Sequence, residues 1–138
     1  MKKKGDNNME SLSTLIESAW QGREKAYAPY SQFKVGAALL CGSGEIYQGC
    51  NIENISFGLT NCAERTALFQ AIVHGEKEFV AMVVCADTPK LTAPCGACRQ
   101  VLLEFAPKMA IIMVNKQGDQ YETTVDKLMP IAFDKINQ

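Results

Sequence analysis

The sequence has no long hydrophobic run. None of its apolar stretches approaches the ~20 residues that a transmembrane helix requires, so we expect no membrane partner. The amino-terminal segment MKKKGDNNMESLS carries lysines with no apolar segment behind them, which is unlike a signal peptide. Without an export signal we expect a cytoplasmic location and a reducing environment, in which disulfides are rare.

The sequence also lacks an excess of either charge. Lys and Arg together number 14, Asp and Glu number 15, and the formal net charge is −1. Apart from the lysines near the amino terminus, the two signs are well mixed. A polynucleotide-binding protein usually has a basic face, so we expect no nucleic acid polymer as a partner and favour a small molecule.

The apolar residues that are present suffice for one core. Hydrophobic residues make up 47% of the 138 positions, which is typical of a globular protein. We find no repeat and no linker. The chain is therefore predicted to form a single domain over residues 10–138, preceded by a flexible, charged tail over residues 1–9.

Hydrophobic periodicity predicts strands that alternate with helices after an initial hairpin. The predicted order α-β-β-α-β-α-β-β indicates an α/β fold with one mixed five-stranded sheet flanked by helices. Helices are predicted over residues 11–26, 62–75 and 96–106, strands over 33–41, 45–52, 79–87, 109–115 and 118–125, and a short helix near VDKLMP (125–130).

Three cysteines lie at two predicted helix starts. Cys62 is in TNCAERTAL, and Cys95 and Cys98 are in TAPCGACRQVL. Free N–H groups at a helix start favour thiolate, and three thiolates favour tetrahedral Zn²⁺. A fourth protein ligand is not obvious, since the only histidine, His74, falls at the far end of its helix. A position left for water is typical of a catalytic site.

Two charged residues follow Cys62 directly. Glu64 lies two residues beyond it in the first helical turn, where a carboxylate can take a proton from water without binding the metal. Three thiolates around one divalent cation leave a net negative charge. We hypothesise that Arg65 offsets that charge by donating hydrogen bonds to the ligand sulfurs.

The order C-x-E then P-C-x-x-C, here Cys62-Ala63-Glu64 and PCGAC (94–98), is similar to the signature of zinc-dependent nucleobase deaminases. The blocks APYSQFKVGAAL (28–39), GCNIENISFGLTNCAER (49–65) and PCGACRQVLLEF (94–105) narrow the likeness. Together they resemble the short, homotetrameric cytidine deaminases that act on free nucleosides, within the cytidine/deoxycytidylate deaminase superfamily.

This resemblance implies an activity and a set of roles. The activity is the zinc-dependent hydrolysis of cytidine and 2′-deoxycytidine to uridine and 2′-deoxyuridine plus ammonia, a step of pyrimidine salvage. It implies Zn²⁺ held by the three cysteines, with Glu64 carrying protons from water to ring N3 and the leaving amine. The substrate would be held as follows: Asn51 and Glu53 grip the ribose hydroxyls, Phe33 packs on the pyrimidine, and Ala63 offers backbone groups to the base edge.

The resemblance also implies a homotetramer whose sites lie at subunit interfaces, with Phe133 reaching the site of a partner subunit. Two positions depart from the commonest family pattern. Ile55 stands where a small residue is usual, and Phe57 stands where tyrosine is frequent, which removes a hydroxyl near the sugar.

Other interpretations stay open at this point. The chain is alternatively a deaminase of another aminopyrimidine nucleoside, such as blasticidin S, or a non-catalytic zinc-bound interaction module. The NIEN block (51–54) favours an unadorned ribose, and Glu64 favours catalysis. Phe33 and Phe133 also suit plain core or interface packing. The scattered Cys41, Cys50 and Cys85 are interpreted as small buried apolar groups.

Overall fold

The computed structural model describes residues 4–134, and it confirms the predicted α/β class and order of elements. Residues 1–3 and 135–138 lie outside the described residues. The elements are α1 (Lys4–Arg23), β1 (Val35–Cys41), β2 (Ile46–Cys50), α2 (Ala63–Val73), β3 (Phe79–Ala86), α3 (Gly96–Phe105), β4 (Ala110–Val114), β5 (Gln120–Thr124) and α4 (Val125–Leu128). A 3₁₀ turn spans Phe57–Leu59.

The five strands form one mixed sheet in the order β2-β1-β3-β4-β5. The pair β3–β4 is parallel, and the other neighbouring pairs are antiparallel. A parallel pair needs a crossover connection, and α3 provides it. The predicted mixed sheet is therefore confirmed, with the crossover carrying Cys95 and Cys98.

Helices cover both faces of the sheet. Along β1, Ala37 and Leu39 belong to the core cluster under α2 and α3, whereas Ala38 belongs to the cluster under α1. This alternation is the ordinary period of a strand. Because β3 and β4 are covered on both faces, their sequences are continuously apolar instead of alternating.

Some helix boundaries differ from the sequence prediction. α1 begins at Lys4 instead of residue 11, because the polar turns before Leu12 contain no apolar periodicity to detect. It ends at Arg23 instead of residue 26, where Lys25 and Ala26 donate to turn carbonyls. The division into a tail (1–9) and a domain (10–138) stays a prediction. Within residues 4–134, no helix is both long enough and apolar enough to cross a bilayer.

Candidate active site

The three cysteines at the two helix starts come together and form one cysteine cluster. Cys62 is the residue that precedes α2, Cys95 precedes α3, and Cys98 lies in the first turn of α3. The three sulfurs lie within 4.8 Å of one another, and the Cys62 and Cys95 sulfurs are 3.6 Å apart. Thiolates bound tetrahedrally to zinc at ~2.3 Å would lie roughly 3.8 Å apart. The donor type and spacing therefore fit a zinc ion.

The three thiols differ in exposure. Cys98 is buried, Cys62 is half-buried and Cys95 is exposed. The Cys98 amide donates to the Cys95 sulfur at 3.5 Å, which ties the two ends of this C-x-x-C loop together. The cluster therefore has a buried side within the protein and an open side that water and a small molecule can reach.

The environment of Cys62 stabilises its thiolate. The hydrogen bond from the Cys98 thiol, followed by that from Arg65, lowers the pKa of Cys62 to about 5, against the opposing effect of burial. The same shared proton, together with burial, raises the pKa of Cys98. A thiolate is the form that binds a metal, so Cys62 is biased toward the metal-binding form, whereas Cys98 must release its proton when a metal binds.

Arg65 faces the cysteine cluster, and its role in offsetting the thiolate charge stays a prediction. Its Nη2 donates to the Cys62 sulfur at 3.4 Å, and this contact raises the pKa of the arginine itself. Its Nε is buried, and within the described residues it has no hydrogen-bond partner. An unpaired buried donor is costly, and the contact of Nη2 with the Cys62 sulfur offsets part of this cost.

Glu64 is almost fully enclosed in the first turn of α2, with 3% of its surface exposed. Burial is the main cause that raises the pKa of Glu64 to about 7, and the nearby Cys62 thiolate raises it further. A carboxyl group with a pKa near the working pH can both accept and release a proton.

Asn51 and Phe33 form a second group, at the end of β2. Asn51 is buried, its Nδ2 donates to the Phe33 carbonyl at 2.7 Å, and its Oδ1 accepts from the Val35 amide at 3.0 Å. The side-chain amide of Asn51 is thus fixed by the residues that lead into β1. These two bonds leave the second N–H of Nδ2 available to a ligand. Phe33 is 41% exposed, so it is accessible to a ligand.

Glu53 is held by the turn that precedes Phe33. Its Oε1 accepts from the amides of Tyr30 (3.0 Å) and Ser31 (3.2 Å), and its Oε2 accepts from the Ser31 hydroxyl. The Ser31 hydrogen bond is the main cause that lowers the pKa of Glu53. Sequence reasoning missed Ser31, although the polar break after Pro29 marked this turn. An open hollow of about 440 Å³ is lined by Tyr30, Ser31, Glu53, Phe57 and Thr60.

Several hydrogen bonds and one close backbone approach join the segment that carries Asn51 and Glu53 to the start of α2, where Cys62 lies. Ile52 and Asn61 exchange amide–carbonyl hydrogen bonds of 2.9 and 3.0 Å. The Thr66 hydroxyl accepts from the Cys50 amide at 3.0 Å and lies 2.8 Å from the Cys50 carbonyl. At Gly49, a Cβ atom would lie 2.2 Å from the Ala63 carbonyl oxygen, so β2 can approach α2 only because this residue is glycine.

The sequence also singles out Ala63, Phe133 and Phe57. Ala63 is fully buried at the start of α2, and its carbonyl accepts from the Thr66 hydroxyl at 2.9 Å. Phe133 follows α4; the residue is 72% exposed, and its carbonyl accepts from Gln100 Nε2 at 2.8 Å. The Phe57 ring packs edge-on against Tyr30, with 6.0 Å between ring centroids.

Comparisons with known proteins agree with this geometry. The family described as "Cytidine and deoxycytidylate deaminase zinc-binding region" matches residues 9–114. A cytidine deaminase of Sporosarcina psychrophila is 54% identical over 125 residues, which are 90% of this chain and 92% of that protein. One of Halalkalibacterium halodurans is 55% identical over 120 residues, 86% and 91% of the two chains. The crystal structure of a cytidine deaminase from Burkholderia pseudomallei matches with a TM-score of 0.86 and 52% identity, covering 88% of this chain and 98% of that one.

A mixed α/β sheet that brings three cysteines and a buried glutamate together at two helix starts defines the class of zinc-binding deaminases. The chain belongs to the cytidine and deoxycytidylate deaminase family. It is accordingly an enzyme of the cytidine deaminase type, a hydrolase acting on a C–N bond of a cyclic amidine, with Zn²⁺ as its cofactor.

Proposed function

We propose that the chain hydrolyses cytidine and 2′-deoxycytidine to uridine and 2′-deoxyuridine plus ammonia, as a step of pyrimidine salvage in the cytoplasm. The observation that carries this proposal is the convergence of three thiols beside the buried carboxyl group of Glu64. A structural zinc site needs no buried proton carrier, so this arrangement favours catalysis over a non-catalytic interaction module.

In this proposal Cys62, Cys95 and Cys98 hold the zinc. The ion supplies a Lewis acid that makes a water molecule nucleophilic near neutral pH. Arg65, whose Nη2 lies 3.4 Å from the Cys62 sulfur, withdraws part of the thiolate charge and so keeps the site electrophilic.

Glu64 is the proposed proton carrier. Its raised pKa of about 7 suits a group that must accept a proton from water and then release it. It takes a proton from the water that attacks C4, passes it to ring N3, and delivers the second proton of the water to the amine. The C4–N bond then breaks, ammonia leaves, and the C4 oxygen becomes the carbonyl of uridine.

Glu53, Asn51, Phe33 and Ala63 are proposed to bind the nucleoside. The lowered pKa of Glu53 keeps it ionised at neutral pH, so it can accept a hydrogen bond from a ribose hydroxyl. The amide of Asn51 is already fixed by the β1 entry, so its remaining N–H is pre-oriented for a sugar oxygen. The exposed face of Phe33 suits stacking on the pyrimidine, and the start of α2 at Ala63 suits the base edge.

The charge of the hollow favours a nucleoside over a nucleotide. Among residues 4–134, its lining contains the carboxylate of Glu53 and no lysine or arginine. A 5′-phosphate placed beside this carboxylate would meet repulsion with no compensating cation. We therefore expect cytidine and deoxycytidine to be much better substrates than deoxycytidylate.

A homotetramer with sites at subunit interfaces is part of the proposal. Ile55 (79%), Phe57 (74%) and Leu59 (67%) are strongly exposed within one short segment whose Phe57 lines the hollow, and Phe133 is 72% exposed after α4. Clustered apolar exposure of this kind marks association surfaces. A second subunit docked there would cover the rings, and Phe133 is proposed to reach the site of a partner subunit.

Spectrophotometry of cytidine conversion tests the proposed function. Purified protein is incubated with cytidine, deoxycytidine or deoxycytidylate; the ultraviolet change is followed, and bound zinc is measured on the same sample. We expect zinc together with turnover of both nucleosides, and little turnover of the nucleotide. Zinc without turnover would favour the interaction module, and a preference for deoxycytidylate would contradict the charge argument.

A further inference from the structure

The backbone around Cys95 is held by the first turn of α3. The Arg99 amide donates to the Cys95 carbonyl at 3.0 Å, and the Cys98 amide donates to the Cys95 sulfur at 3.5 Å. The Arg99 side chain adds a third contact, because its Nε donates to the Pro94 carbonyl at 2.8 Å. Arg99 therefore binds both peptide units that flank Cys95. Its side chain holds the Pro94–Cys95 unit, and its amide holds the Cys95–Gly96 unit.

The same guanidinium also reaches a distant segment. Arg99 Nη1 donates at 3.0 Å to the carbonyl of Leu128, the last residue of α4. Carbonyls at a helix end have no intrahelical partner, so this contact satisfies one of them. Next to it, Gln100 binds the Phe133 carbonyl at 2.8 Å. Arg99 thus connects the loop that carries Cys95 to the chain that follows β5.

Cys95 needs this support more than Cys98 does. Cys98 is buried, so packing restrains its side chain, whereas Cys95 is exposed and its side chain has solvent on one side. The orientation of Cys95 therefore depends on its backbone. A planar guanidinium can serve two carbonyls at once, whereas a lysine ammonium acts as a single point donor.

We propose that Arg99 is a positioning residue for the zinc site, which fixes the Pro94–Cys95 peptide against the carboxyl-terminal end of α4. This inference rests on the zinc site of the proposed function. Without Arg99, the peptide that precedes Cys95 can rotate, and the Cys95 thiolate is no longer held at the spacing that zinc requires. Loss of such outer contacts typically lowers metal affinity by roughly 10- to 100-fold.

Zinc competition tests the proposal with R99Q, R99K and a matched control, R23Q. Arg23 also donates its Nε to a backbone carbonyl, that of Lys34 at 3.1 Å, but it lies at the end of α1 and contacts none of the three cysteines. Each zinc-loaded, full-length protein is titrated with a chromophoric chelator, and its melting temperature and cytidine kinetics are recorded.

We expect R99Q to bind zinc roughly 10- to 100-fold more weakly than the parent, R99K to fall between them, and R23Q to match the parent. With excess zinc, R99Q should recover most of its kcat. A purely structural role would lower the melting temperature of R99Q and leave its zinc affinity within about twofold of the parent, and that result would overturn the proposal.

If R99Q does not fold, R99K decides, since it keeps the stem and charge but loses the two-carbonyl geometry; an unchanged affinity in R99K then overturns the proposal. A parent protein with neither zinc nor turnover contradicts the proposed function itself. An active, zinc-loaded parent with an unaltered Arg99 variant contradicts this inference alone.

Discussion

The clustered and the scattered cysteines of this chain show how place in the fold decides thiol chemistry. Cys41 and Cys85 are buried in strands, and burial is the main cause that raises their pKa values to about 11 and about 12. Cys62, at a helix start beside Cys98 and Arg65, has its pKa lowered to about 5. Cys41 and Cys85 are thus protonated core groups, whereas in the cluster Cys62 is biased toward thiolate and Cys98, whose pKa is raised, holds the proton that the two share.

Burial alone does not separate the two groups. Cys98 and Cys85 are both fully buried, yet only Cys98 has other sulfurs within 4.8 Å. The difference arises because α2 and α3 begin at the same point, where two chain segments deliver thiols to one place. If function follows this convergence, a change at a clustered thiol should cost far more activity than the same change at a scattered one.

The largest effect is expected from removing one thiol of the cluster. C98A should lose zinc and lower the rate of cytidine deamination by more than about 10⁴-fold, because it removes the Lewis acid and leaves Glu64 without an activated water. C85A is the matched control, since it also removes a fully buried thiol. Zinc content and turnover measured together decide the outcome. If C98A and C85A behave alike, the contrast between the two groups is wrong.

A somewhat smaller effect is expected from E64Q. This variant should keep zinc, because Glu64 is not a proposed zinc ligand. It should lower kcat by on the order of 10²–10⁴-fold, because the proposed proton carrier is lost. E104Q is a suitable control, as Glu104 is an exposed glutamate of α3. Metal analysis and steady-state kinetics provide the readouts. Full activity in E64Q would remove Glu64 from the mechanism.

The smallest effect concerns the core thiol Cys85 at alkaline pH. Its pKa rises from the usual 9.0 to about 12 on folding, so above pH 9 the unfolded chain releases a proton that the folded protein retains. Folding stability should therefore fall as pH rises through this window, by about 1.4 kcal/mol per pH unit for one such thiol.

C85A isolates this contribution. At pH 8 the variant should be less stable than the parent by about 1 kcal/mol, because a buried group is lost. Between pH 9 and 11 the difference should shrink and then reverse, since the variant has no thiol to titrate at this position. Urea unfolding of both proteins across this range is the measurement. Parallel stability curves would mean that Cys85 titrates alike in the folded and unfolded states.

Short-range signals made the cluster and the sheet predictable. Cys62, Glu64, Cys95 and Cys98 fall in two short motifs at helix starts, and the buried strands are apolar runs bounded by turns. The early start of α1 at Lys4 was missed, because polar turns carry no hydrophobic period.

Contacts between segments that are distant in the chain could not be predicted from the sequence. The Ser31 hydroxyl bound to Glu53 joins residues 22 positions apart, and the Arg99 contact to Leu128 joins residues 29 positions apart. Neither follows from local propensity or spacing, since both depend on how the finished sheet brings loops together. Asn51 shows the same limit: its type suggested a sugar contact, but the bonds that fix its amide to Phe33 and Val35 depend on the pairing of β1 with β2.

The zinc X-ray absorption spectrum of the purified chain tests the convergence of the three thiols most directly. We predict three sulfur ligands at ~2.3 Å and one oxygen or nitrogen ligand at ~2.0 Å, with the same spectrum in C85A and no bound zinc left to measure in C98A. A spectrum with four sulfurs, or with none, would contradict a three-cysteine site that keeps one position for water.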